Sequence, residues 1–390
     1  MEDWNQDRLI DLLEVLIDYR GKTPRKVNSG IPLITAKIVK NGRIDTPTEF
    51  LPIEDYENWM VRGFPKIDDV LLTTEAPLGE VAQVDDEKIA LAQRIVCLRG
   101  KKGILDNTFL KYYFLSPKGR LRLKARETGT TVTGIKQSEL KEVLIDYPPY
   151  EIQLQIAKVL SSIDSKIELN RRINGNLEQQ AQALFNHYFI ERPDLLGKYK
   201  IGNLTEIANY LNGLAMQKFR PQMKENGIPV LKIKELGQGY TDASSDICSE
   251  NIADEYKVHN GDVIFSWSGT LMVKIWCGGL CGLNQHLFKV TSEIYPKWFY
   301  YFWTKHHLNK FIRIAQDKAV TMGHIKRSDL EASEILIPQM DILAKLDAII
   351  NPLFSQIIEM KCENRNLATI RDILLPRLMS GKLKIDDLNR

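Results

Sequence analysis

The sequence predicts an α+β chain. Two mixed α/β globular domains are separated by two long antiparallel coiled-coil helices, with pseudo-two-fold symmetry and a circular arrangement. Three observations carry this: a scaffold that recurs about 190 positions on, a heptad seam after each copy, and chain ends that resemble the middle of the chain. Gly30-Ile31-Pro32-Leu33-Ile34 returns as Gly227-Ile228-Pro229-Val230-Leu231, and Asp69-Val70-Leu71-Leu72-Thr73 as Asp262-Val263-Ile264-Phe265-Ser266. Ile135-Lys136, Ser138 and Leu140 return as Ile325-Lys326, Ser328 and Leu330.

The first domain, residues 1–150, alternates short β-rich runs (31–38, 70–74, 89–98) with Gly, Pro and Asn turn signals. An aromatic helical stretch follows at 109–115. Residues 151–190 read as the first spacer helix. Its apolar steps of four and three run through Ile156, Leu160, Ile163, Ile167, Asn170, Asn174, Leu177, Ala181, Leu184 and Tyr188, the seam of a coiled coil. The second domain, 191–340, repeats the pattern at 229–236, 263–268, 287–290 and 298–303. In 341–390 the second helix carries the seam again as Leu346, Ile350, Leu353, Ile357, Met360, Asn364, Leu367, Arg371, Leu374 and Leu378, and a tail follows. An asparagine at both Asn174 and Asn364 fits a buried polar position that costs stability and fixes register. Pro352 should kink the second helix near its start and Pro376 should end it.

Each helix of about 35 residues spans roughly 50 Å. Paired antiparallel, the two would form a rod with a globular domain at each end. Asp11-Leu12-Leu13-Glu14 resembles Asn203-Leu204-Thr205-Glu206, and Gly21 matches Gly213. The tail Ser380-Gly381-Lys382-Leu383-Lys384-Ile385 resembles Leu196-Gly197-Lys198-Tyr199-Lys200-Ile201, so it should pack near the N-terminus.

With 390 residues, 44% of them hydrophobic, the chain can build two cores, and wholesale disorder is excluded. No apolar run approaches the roughly 18 residues of a membrane helix. The acidic start Met1-Glu2-Asp3-Trp4 is no secretory signal. Five scattered cysteines suit a reducing cytoplasm. Cys277 and Cys281 lack zinc-knuckle spacing and a second pair, so no metal is expected. A net charge of +3 argues against non-specific coating of DNA but not against placed basic residues.

Basic residues recur in register. Lys118, Arg120, Arg122, Lys124 and Arg126 fall within nine positions with no acid among them, and Lys305, His306, His307, Lys310, Arg313 and Lys318 occupy the matching stretch. Each cluster runs into a polar turn, with Thr130, Thr131, Thr133 and Lys136 in one and Thr321, His324 and Lys326 in the other. Short hydroxyls, free backbone N–H groups and lysines suit phosphates. A solvated helix face would explain either cluster alone; recurrence favours double-stranded DNA, itself pseudo-two-fold symmetric. Candidates for base and backbone contacts are Lys22, Thr23, Arg25, Lys26, Lys40, Asn41, Arg43, Thr74, Gln93 and Arg94 in the first half. In the second they are Gln217, Lys218, Arg220, Gln238, Trp267, Ser268, Asn284, Gln285 and His286. Gln93 and Gln285 fall at equivalent positions.

No phosphate-binding G-x-x-x-x-G-K-[ST] loop exists. Asn351-Pro352-Leu353-Phe354 lies on the seam and reads as helix. Asp69 with Asp86-Glu87-Lys88 fits a permissive metal-nuclease pattern that the second half does not repeat. A stand-alone Mg²⁺-dependent nuclease, and a duplicated coiled-coil scaffold that binds only proteins, are the alternatives.

Two variable domains, each followed by a copy of one long helix, resemble the specificity subunit of type I restriction–modification enzymes over the whole chain. More specific marks are Thr73-Thr74-Glu75-Ala76-Pro77-Leu78-Gly79-Glu80-Val81 and the junction Tyr147-Pro148-Pro149-Tyr150-Glu151-Ile152-Gln153. The family junction tends toward Leu-Pro-Pro-x-x-Glu-Gln; here Ile152 separates Glu151 from Gln153, and the second half lacks the Glu-Gln. The resemblance implies a cytoplasmic, non-catalytic DNA-recognition subunit that reads one half of a split site with each domain. It implies two methyltransferase subunits docked on the central helices and restriction–translocase subunits joining them. No cofactor would be held by this chain; S-adenosylmethionine, ATP and Mg²⁺ would sit on those partners.

Overall fold

The computed structural model describes residues 4–21, 23–129, 133–223, 225–317, 323–385 and 387. The chain forms two compact units, Met1–Ser165 with Ala368–Arg390, and Lys166–Leu367. Each long helix is therefore shared between them, rather than standing apart as a segment of its own.

The first unit is built on a four-stranded antiparallel sheet in the order Leu13–Asp18, Ile95–Gly100, Val70–Thr74, Leu78–Gln83. Ile31–Ile34 pairs antiparallel with Phe50–Leu51 and parallel with Ala90–Leu91. Asn5–Arg8 pairs with Leu144–Tyr147. The second unit repeats all of this. Its sheet runs Asn209–Asn212, Leu287–Thr291, Val263–Ser266, Met272–Ile275, and Tyr199–Asn203 pairs with Glu334–Pro338. Gly227–Leu231 lies antiparallel to Ile247–Ser249 and parallel to Cys281–Leu283. Register equates Asp18 with Asn212, two positions off the match that Gly21 and Gly213 suggest.

The same device starts the central strand in both units. Asp69 is fully buried, accepts the Lys66 N–H at 2.8 Å and is neutralised by Arg99 at 2.6 Å. Asp262 accepts the His259 N–H at 2.9 Å and pairs with Lys289 at 3.1 Å. A buried carboxylate is tolerated only when its lone pairs and charge are satisfied in this way.

The first long helix runs Tyr150–Asn186 and the second Met340–Leu378. Pro148 and Pro149 end the preceding strand by withholding N–H donors. The Pro149 carbonyl then accepts the Gln153 N–H at 3.1 Å. Gln153 is fully buried; its amide donates to the Pro148 and Ile104 carbonyls at 2.9 Å each and accepts from the Asp106 N–H at 3.0 Å. This junction glutamine is thus a staple between helix and domain.

Ile156, Leu160, Leu375 and Leu378 join Leu9, Phe109 and Tyr113 in the core of the first unit, with Leu374 at its margin. Leu177, Ala181, Phe185, Leu346, Ile350, Phe354 and Ile357 join Phe265, Trp298 and Phe302 in that of the second, with Leu184 and Leu353 at its margin. Full burial of such a side chain is worth roughly 1.5–3 kcal/mol, so the seam is core for both units. Ile167 is buried too, while Ile163 and Leu367 are half-buried.

The helices run antiparallel within each unit. In the first, Arg371 pairs with Asp164 at 3.0 Å, and Asp164 also accepts the Tyr112 hydroxyl at 2.7 Å. In the second, Asn170 donates to Asn364 at 3.0 Å and to Glu363 at 2.7 Å, while Lys361 pairs with Glu178 at 2.7 Å. The polar partner of Asn364 is therefore Asn170, not Asn174, because antiparallel pairing sets Asn364 one turn before the residue that duplication equates with it. Asn174 is buried beside this layer.

One expectation about proline needs correction. The second helix does not end at Pro376 but runs on to Leu378. Pro352 lies on the exposed face, opposite Ile350 and Phe354. Pro376 sits in the last turn, where one backbone bond is lost and buried Leu375, Leu378 and Met379 hold the turn by packing.

The tail closes the first unit. Leu383 and Ile385 pack on the cluster that includes Trp4. Gly381 and Gly197, matched in sequence, share a left-handed backbone with φ of 67° and 65°. Circular continuity is therefore real: Asn5–Arg8 enters its unit as Tyr199–Asn203 enters the other.

Gln153→Ala should destabilise the first unit by about 1–3 kcal/mol, the cost of orphaning buried polar groups. Hydrogen exchange should show lost protection in Leu144–Tyr147 and unchanged protection in Glu334–Pro338.

Candidate nucleic-acid interface

In the first unit three segments converge at one end of the central sheet. The Thr74 N–H donates to the Arg94 carbonyl at 3.0 Å, the Ile135 N–H donates to the Thr74 carbonyl at 2.9 Å, and Glu75 bridges to Gly134. A Cβ on Gly134 would lie 2.8 Å from the Thr74 carbonyl oxygen, so the backbones approach closely in this copy. Arg94 pairs with Glu75 at 2.7 Å, and the Thr23 hydroxyl donates to Gln93 at 3.3 Å.

The second unit makes the same backbone bonds with other side chains. The Trp267 N–H donates to the His286 carbonyl at 3.4 Å, the Ile325 N–H donates to the Trp267 carbonyl at 3.1 Å, and Ser268 bridges to His324. The Trp267 indole N–H donates to Asn212 at 3.0 Å, and Ser268 Oγ lies 3.1 Å from His286 Nδ1. Gln285 Nε2 is 3.4 Å from His286 Nε2. A shared frame thus presents Thr23, Gln93 and Arg94 in one copy, and Trp267, Gln285, His286 and His324 in the other, with Ser268 buried behind His286.

The remaining candidates scatter. Thr74 is buried, so its hydroxyl is not presented. Lys40, Asn41 and Arg43 form a small hairpin whose Asn41 N–H donates to Glu80 at 2.9 Å, while Arg43 pairs with Asp45 at 2.9 Å. Arg25 pairs with Glu54 at 2.7 Å and Asp55 at 3.0 Å, and Lys26 with Glu49 at 2.8 Å. Lys136, Lys218, Arg220 and Lys326 are exposed, as is Thr133. Lys22, Thr130, Thr131, Lys318 and Thr321 lie outside the described residues.

The first basic run is not free of acid in space. Lys118 and Arg122 reach Asp146 at 3.1 and 3.4 Å, and Arg126 reaches Glu139 at 3.0 Å. Burial would raise the Asp146 carboxyl, but hydrogen bonds from Gln6 and Lys118 outweigh it and hold the group below the usual carboxylate range. Arg120 and Lys124, named in the sequence only as members of the basic run, instead line a cavity of about 520 Å³ with Ala76–Glu80 and Thr133. Their side chains border the converging segments, and neither has an ion pair among the described residues. Helical spacing alone separates them from Arg122.

The nuclease pattern finds no geometry. Asp69 is engaged by Arg99, Asp86 accepts the Lys88 N–H at 2.8 Å, and Glu87 accepts the Ile67 N–H at 3.3 Å. Among the described residues no cluster of His, Cys, Asp or Glu has the geometry to hold a metal ion. No helix among them is long and apolar enough to cross a membrane.

The family model of the type I restriction modification DNA specificity domain matches residues 1–179 and again 197–364. The chain belongs to this family, as a type I specificity subunit. Its two matched regions correspond to the two copies of the frame. The MjaIX specificity subunit of Methanocaldococcus jannaschii is 30% identical, over 99% of this chain and 95% of that protein. The EcoKI specificity subunit of Escherichia coli is 23% identical, over 90% of this chain and 82% of that protein. The crystal structure of the S subunit from M. genitalium shares the fold at a TM-score of 0.57 and 16% identity, covering 97% of this chain and 96% of that one.

His307 gives a pH signature. Its ring nitrogen lies 2.9 Å from the Glu334 carbonyl, and its ring stacks on Trp303 at 6.2 Å. Burial pushes its pKa from 6.5 down to about 4. Between those values the unfolded chain binds the extra proton, so stability falls as pH is lowered through that window. Denaturant unfolding of the second unit should lose up to about 2 kcal/mol between pH 7.5 and pH 5, and His307→Phe should flatten most of that slope.

Proposed function

We propose that the chain is the non-catalytic DNA-recognition subunit of a cytoplasmic type I restriction–modification complex, and that each unit reads one half of a bipartite target. The observation that carries this is the duplicated frame with divergent side chains. Identical backbone bonds hold Gln93 and Arg94 in one copy, and Ser268, Gln285 and His286 in the other. Arginine, glutamine and histidine there can meet base edges, while Arg120, Lys124 and the exposed lysines can meet phosphates.

The long helices supply the spacing between the half-sites and the docking surface for two methyltransferase subunits, to which restriction–translocase subunits add. This chain holds no cofactor in that scheme. S-adenosylmethionine belongs to the methyltransferase partners, and ATP and Mg²⁺ to the complex that translocates and cuts.

The test is to co-express the chain with its methyltransferase partner and map methylated adenines in host DNA. Two clusters of fixed bases separated by an unspecified gap are expected; unselective methylation would refute the reading. Arg94→Ala should relax one half-site and His286→Ala the other, each by about 1–3 kcal/mol of discrimination. A single variant that relaxes both halves would contradict the division of labour.

A further inference from the structure

The two frames differ in one place beside the converging segments. In the first unit, Arg20 fills it: its guanidinium pairs with Asp18 and donates to the Ile135 carbonyl at 2.6 Å. In the second unit, Asn212 stands for Asp18 and is turned to the Trp267 indole instead. What remains in front of Ile325 is an open cavity of about 550 Å³. That lies within the roughly 300–1,000 Å³ of small-molecule pockets.

The lining has a defined chemistry. Tyr256, Trp267 and Phe288 supply aromatic walls, Asn209 and Asn212 supply amides, and Arg327 supplies a cation. Trp267 is held in place by its bond to Asn212 and by Phe288, 5.7 Å away and inclined at 31°. Flat walls with amide edges suit a planar ring that carries hydrogen-bonding groups, and a cation beside them suits a phosphate. Trp267 is also the residue whose backbone ties the loop of His286 to Ile325. The cavity therefore opens beside the side chains assigned above to base reading.

We propose that this cavity receives a nucleobase rotated out of the bound duplex, in the half-site read by the second unit only. The proposal rests on the recognition role given above and adds to it a base read outside the helix stack. Rotation costs the pairing and stacking of that base, and stacking on aromatic walls returns part of the cost. The Arg20–Asp18 pair denies the first unit the same option.

The test uses the chain complexed with its methyltransferase partner and duplexes carrying the mapped target. An abasic site is placed opposite each base in turn, because an unpaired base is cheaper to rotate. Affinity should rise about tenfold or more at one position in the second unit's half-site. The gain should vanish in Leu211→Trp, which fills the cavity, and in Tyr256→Ala, which removes a wall; hydrogen exchange of Val263–Ser266 checks that each variant is folded. Free nucleoside monophosphates at millimolar concentration should not compete.

The proposal falls if no position gains affinity while the unmodified target is still bound selectively, which leaves the recognition role intact. It falls equally if the gain persists in a folded variant, placing the base in a partner's site, or if free nucleotides compete and no duplex position responds. Absence of selective binding by the wild-type complex would remove the recognition role itself.

Discussion

The antiparallel seam of the two long helices is the constraint on which the rest depends. Neither globular unit completes its core without a piece of both helices. The first unit needs Ile156 and Leu160 from one and Leu375 and Leu378 from the other. The second needs Ala181 and Phe185 together with Ile350 and Phe354. The first unit therefore cannot close until the last residues of the chain return to the first ones, a contact of very long range whose loop-closure entropy must be met before the packing repays it. Polar contacts interrupt the apolar seam, Asp164 with Arg371 and Asn170 with Asn364. Such positions add little stability and penalise a slipped register, because a shift would strand a charge or an amide among apolar side chains.

On that support the duplicated frame separates architecture from chemistry. The bonds that gather the three segments run between backbone groups, so they survive replacement of Thr74 by tryptophan or of Arg94 by histidine at the matching positions. Side chains at the segment tips are then free to differ. Where the frame does demand a residue, the demand is electrostatic, as at Asp69 and Asp262. The contrast between Arg20 and the cavity beside Trp267 shows how far two copies of one frame can diverge without altering strand order.

Much of the fold was legible in the sequence because it is written as periodicity. The repeat gave two equivalent sheets, the four-three spacing gave both helices, and the match of Gly197 to Gly381 anticipated the tail beside Trp4. Opposition across the seam was harder to read, since duplication equates Asn174 with Asn364 whereas antiparallel packing opposes Asn170. Pro376 misled because a proline in a last turn forfeits one bond only. The site was less legible for a different reason. A run of five bases with no acid among them looks free, yet Asp146 and Glu139 meet three of them in space. Likewise Arg25 and Lys26 find partners more than twenty residues away. The bases left facing the converging segments, Arg120 and Lys124, differ from their neighbours only in where the helix points them.

The central claim is that recognition resides in the loop frames and spacing in the helices. The most direct measurement lengthens the helices and leaves the frames alone. Seven residues that keep the heptad, inserted into each helix near Arg172 and Cys362, add about 10 Å, close to 3 base pairs of duplex at about 3.4 Å each. Mapping methylated adenines in host DNA should then show both half-sites unchanged and the gap between them longer by about 3 base pairs. An unchanged gap, or altered bases within either half-site, would contradict it.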